Sequence, residues 1–154
     1  MLGRLLDWIR GRKQWQGDDE TARRCAVIAS GGEPTHSVVL RLDPGAMENP
    51  DVDVRWEIEK TLRALHPDVL FYDDGYGFAR HSDAMLLSYA TNEPMRLVEA
   101  LVAVLNRSQM SGNQLATAAM VAIGPRDGQS QAGQEFANHR VVYPPQEAGS
   151  LLPD

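Results

Sequence analysis

The sequence predicts a single α+β domain, and three observations carry that prediction. The segment from Val54 to Leu65 and the segment from Leu97 to Leu105 repeat apolar residues at helical spacing, while several short apolar runs have strand length and end at Gly, Pro, Asn or Asp. With 154 residues, 43% hydrophobic and 23% charged, the chain is long enough to remove roughly two thirds of its unfolded surface from water in one core. The lone Cys25 excludes an internal disulfide and a CxxC zinc site, so packing must hold the fold.

Taken in order, residues 1–23 read as an amphipathic helix followed by a polar linker. Leu2, Leu5, Leu6 and Ile9 share one side of that helix, with Trp8 beside them and arginines elsewhere around it. Such a face suits packing on the domain, docking to a helix, or peripheral membrane contact through residues 1–15. The domain itself is expected over residues 24–145. Arg24 to Ala29 and Ser37 to Leu42 are short β-branched runs around Ser30-Gly31-Gly32-Glu33-Pro34, the pattern of a hairpin with a loose loop. Asn49 and Pro50 then open a helix whose Val54, Ile58, Leu62 and Leu65 form one stripe, and Pro67 ends it.

Val69 to Tyr72 reads as the next strand, Asp73 to Asp83 as a glycine-containing connection, and Ala84 to Ala90 as a strand buried on both faces. A second helix starts near Asn92 with Pro94 in its first turn, carries Leu97, Val98, Leu101, Val102 and Leu105, and closes at Arg107. Leu115 to Ile123 reads as a strand of small residues, Gly124 to Gly133 as a polar loop, and Arg140 to Tyr143 as an edge strand ended by two prolines. Residues 146–154 read as a loose tail. The central order of strand, helix, strand, strand, helix, strand is the split βαβ, or ferredoxin-like, arrangement. It sets two helices on one face of an antiparallel sheet, here with extra edge strands.

Charge narrows the function classes. The net charge of −6 argues against nucleic-acid binding, which needs a basic face to displace counterions. The first 24 residues are nevertheless basic, with six Arg and Lys against four acids, and the body is correspondingly acidic. From Asp43 to Asp83, ten acids stand against four bases, which matches a basic protein partner. The sequence holds no phosphate loop, HExxH or GxSxG, and His36, His66, His81 and His139 have no ligand spacing between them. No cofactor is expected, and no run reaches the roughly 18 apolar residues of a membrane span.

The densest chemical segment runs from Tyr72 to Asp83. As a site for a partner it offers Asp73, Asp74, Tyr76, Phe78, His81 and Asp83, because aromatics beside charges supply anchor area at low entropic cost. As chemistry, Asp73, Asp74 and Asp83 could share a hard cation, or a carboxylate could work with His81 as an acid/base pair. As structure, the same residues make an acidic turn. An exposed sheet edge would also admit a homodimer.

The run from Phe71 to Leu105, with Asp74-Gly75-Tyr76-Gly77 between strands and a helix ending in V-x-x-L-V-A-V-L, resembles small bacterial ferredoxin-like proteins. These occur among toxin-neutralising immunity proteins and uncharacterised cytosolic families. The resemblance covers about a quarter of the chain and implies a cytoplasmic, cofactor-free protein whose acidic surface blocks a basic effector. It carries over no catalytic residue. Beside it stand a small-molecule-binding or regulatory domain and a metal- or acid/base-dependent enzyme using the segment from Asp73 to Asp83.

Overall fold

A computed structural model describes residues 19–107, 109–126 and 136–153. The proposed N-terminal amphipathic helix, with Leu2, Leu5, Leu6, Trp8 and Ile9, lies outside them. A five-stranded, wholly antiparallel sheet forms the centre, in the order β2-β3-β1-β4-β5. Its strands are β1 (His36–Leu42), β2 (Tyr72–Phe78), β3 (Met85–Thr91), β4 (Ala119–Pro125) and β5 (Arg140–Tyr143). The helices are α1 (residues 19–31), α2 (Val54–Leu65), α3 (Pro94–Arg107) and the short α4 (Leu115–Ala118).

The core follows from the two amphipathic stripes. Val54, Ile58 and Leu62 of α2 and Leu97, Leu101, Val104 and Leu105 of α3 join one buried cluster with alternate residues of the central strands. Those strand residues are Val38, Leu40 and Leu42 of β1, and Met85, Leu87 and Tyr89 of β3. Period two in a strand meets a stripe of period 3.6 in a helix, the two patterns that let each element bury one side. Leu65, the last position of the predicted α2 stripe, is exposed. β3 is buried along its whole length, as its continuous apolar run predicts. Behind it, Val39, Ala84 and Leu86 make a second cluster with Ala79, Phe136 and Leu152.

Several segments differ from the sequence reading, among them the start of α2, which is expected at Asn49 and Pro50 but lies at Val54 with Asp53 at the cap position. Arg24 to Ala29 is not a strand but part of α1, and that helix crosses the boundary expected at residue 24. Val27 is its one fully buried residue, seated on Tyr72 and Ala90. The strand expected at Val69 to Tyr72 starts only at Tyr72, and most of the supposed connection, through Phe78, is β2 itself. A bulge lies between Asp73 and Tyr76, where Gly75 takes φ +111, a conformation that glycine adopts without steric cost. Leu115 to Ala118 forms a helical turn before β4 begins at Ala119. Residues 149–152 are hydrogen-bonded to β5 and to His139 rather than loose.

Candidate functional site

The site starts from one turn of α1. Glu20 and Arg23 sit three residues apart and Val27 a further four, so a single helical face carries an acid, a base and an anchor. Val27 packs on Tyr72 and thereby holds that face against the start of β2. The Glu20 carboxylate accepts the backbone N–H of Asp73 at 2.8 Å, satisfying a donor on the outer side of an edge strand. From α2, Glu59 and Arg63 stand at i, i+4 and pair at 3.1 Å. Arg23 reaches the same Glu59 oxygen at 3.0 Å, so one buried carboxylate links two helices.

Arg63 is fixed from three sides. Besides Glu59, it donates to the Phe71 carbonyl at 3.3 and 3.4 Å, and its guanidinium lies 4.0 Å from the centre of the Phe71 ring. Burial raises the Glu59 pKa and outweighs the opposing pull of Arg63. Burial likewise lowers that of Arg63, against the Glu59 charge.

Above this pair opens a cleft of about 530 Å³ between α1, α2 and β2. Asp19, Glu20, Glu59 and Asp73 supply its carboxylates, and Arg23, Lys60 and Arg63 its cations. Trp56 forms an apolar wall and stays 41% exposed. Arg23 also lies 3.8 Å from Asp19, so it bridges the Asp19 and Glu59 carboxylates, and Lys60 adds a further cation to the lining.

The six residues singled out in the sequence are placed separately. Asp73 enters the cleft and accepts the N–H of Gly75 at 2.8 Å. Asp74 points instead to Arg126, which grips it in two bonds at 2.8 and 3.1 Å, and this pairing raises the Arg126 pKa. Tyr76 stacks on the guanidinium of Arg55, 3.8 Å from the ring centre, and the same guanidinium lies 4.1 Å from the Trp56 ring. Phe78 is 58% exposed at the end of β2, and His81 and Asp83 occupy the exposed loop before β3.

Among the described residues, no three His, Cys, Asp or Glu side chains converge as a metal-binding group. The cation shared by Asp73, Asp74 and Asp83 therefore has no geometry here. Sequence reasoning missed Glu20, Arg23, Trp56, Glu59 and Arg63. The i, i+4 spacing of Asp19 with Arg23 and of Glu59 with Arg63 was the available signal.

Comparison with family models, with curated proteins and with solved structures yields no match.

Proposed function

We propose that the chain is a protein-binding module, most concretely an immunity-type inhibitor that neutralises a basic effector through an acidic surface. The observation that carries this reading is the cleft between α1, α2 and β2, whose lining includes the Asp19 and Asp73 carboxylates and the half-exposed indole of Trp56. A carboxylate next to an aromatic wall suits a lysine or arginine side chain, whose charge meets the acid while its methylenes or guanidinium lie on the ring. Trp, Tyr and Arg are also the residue types that dominate interface energetics, and Trp56, Tyr76 and Arg55 form one stack beside the cleft.

The element order and the sheet order β2-β3-β1-β4 support a ferredoxin-like reading of the core, with both long helices over one face and β5 added at an edge. In that arrangement α2 and β2 lie together at one side of the sheet, which supports a contiguous partner surface there.

The test is affinity capture from lysate of the source cell, comparing wild type, the double variant Asp19→Asn/Asp73→Asn and Trp56→Ala. The expected result is a basic protein retained by wild type at low salt, released at high salt, and retained about tenfold less by either variant. Equal retention by all three forms would remove the cleft from the account.

A further inference from the structure

The outer edge of β2 carries a second, independent pattern. Around Gly77 the segment Asp73-Asp74-Gly75-Tyr76-Gly77-Phe78-Ala79-Arg80-His81 is chemically antisymmetric: aromatic faces aromatic, small faces small, and each acid faces a base. Among the described residues β2 is a terminal strand of the sheet, with Tyr76 and Phe78 more than half exposed. Backbone direction fits as well. The N–H of Ala79 donates inward to Ala84, so the alternation of an antiparallel ladder turns the N–H and C=O of Tyr76 and Phe78 outward. A Cβ built on Gly77 meets nothing within 4 Å.

We propose that β2 pairs with β2 of a second copy of this chain, antiparallel and centred on Gly77, joining two sheets into one. In that register Tyr76 and Phe78 of one copy exchange both backbone hydrogen bonds with Phe78 and Tyr76 of the other. Their rings lie on the face that already holds Leu87 and Met85, their β3 partners, so the aromatic pairs extend the core layer. An isologous contact of this kind closes after two copies and leaves no further edge of the same type. Glu20 on the Asp73 N–H, together with the bulge at Gly75, limits the paired backbone to a short stretch around Gly77. The pairing uses the backbone from Tyr76 to Phe78, whereas the partner reading uses the Asp19 and Asp73 carboxylates and Trp56, so either can fail alone.

Sedimentation velocity on the full chain across a wide concentration range gives the first readout, with a reversible dimer expected. Phe78→Pro removes an outward N–H that β3 does not use and should weaken association about tenfold or more, with the fold checked by circular dichroism. A cysteine scan in the Cys25→Ser background reads the register independently of that variant. The two Gly77 Cα atoms form a non-hydrogen-bonded pair about 4.5 Å apart, within disulfide reach, so Gly77→Cys should oxidise to a dimer while Phe78→Cys does not. A monomer at every concentration, association indifferent to Phe78→Pro, or cross-linking that favours Phe78→Cys would each overturn the proposal.

Discussion

The two edges of the sheet are finished in opposite ways. At β5 the chain turns at Gly149, with φ +88, and runs back along its own strand. Val141 and Gly149 then bond at 2.8 Å to the Ser150 and Val141 carbonyls, and Leu152 donates to His139 at 3.0 Å. At β2, among the described residues, Glu20 takes the Asp73 N–H and Arg126 the Asp74 carboxylate, while Tyr76, stacked on Arg55, and Phe78 stay more than half exposed. Strand composition alone does not decide which edge is closed. The apolar Arg140–Tyr143 strand would be the more adhesive edge, and a segment without side-chain periodicity covers it.

Removing the cover of β5 should cost the most stability. Deleting residues 149–154 takes away four backbone hydrogen bonds and the Leu152 contact with the Val39 and Leu86 cluster, an expected loss of about 3 kcal/mol in urea unfolding. The same deletion should make the chain aggregate, since it opens a second edge. Next in size is Gly124→Ala on β4. Its new methyl would collide with the buried His139 ring, which is packed edge-on to Phe136 at 5.1 Å, and overpacking there should cost about 2 kcal/mol by the same assay. On the open side, Phe78→Ser should change stability by no more than about 0.5 kcal/mol, because its side chain is mostly in water. A large loss from Phe78→Ser, or none from the deletion, would break the contrast between the edges.

The smallest effect is a slope with pH at the cleft. The Glu59 carboxyl titrates above its ordinary range because burial disfavours its charge. A raised acid pKa contributes stability that is complete below the unfolded value and is lost as pH rises through the folded one. Wild type should therefore lose stability relative to Glu59→Gln as pH climbs from the ordinary glutamate value toward neutrality, as read by urea titrations at several pH values. A difference that grows with pH would mean that the charges of Arg23 and Arg63 outweigh burial.

How much of this was legible in the sequence depends on how each element is stabilised. α2, α3, β1 and β3 bury regular stripes or runs, and their pattern names them directly. α1 gave no stripe because Val27 alone is fully buried, while Cys25 and Ala26 are exposed and Ile28 is half-buried; its five apolar residues in a row, Cys25 to Ala29, imitated a strand. β2 was hidden for the converse reason. Asp, Gly and exposed aromatics read as a turn, and the segment is extended because it pairs with the wholly buried β3. The cleft depended on both missed elements. Asp73 is legible as a site candidate, but its neighbours Glu20 and Arg23 fall within residues 1–23, which read as helix and polar linker, and their approach is set by tertiary packing of α1 on Tyr72.

The contrast, among the described residues, is between an edge sealed by the chain itself and an edge proposed to pair with a second copy. Amide hydrogen exchange, resolved to single residues and run at low and high protein concentration, tests it most directly. Val141 and Leu152 should be protected equally at both concentrations, whereas Tyr76 and Phe78 should exchange fast when dilute and slow when concentrated. Protection of Tyr76 and Phe78 that is already complete in dilute solution, or exchange that stays fast at every concentration, would contradict it.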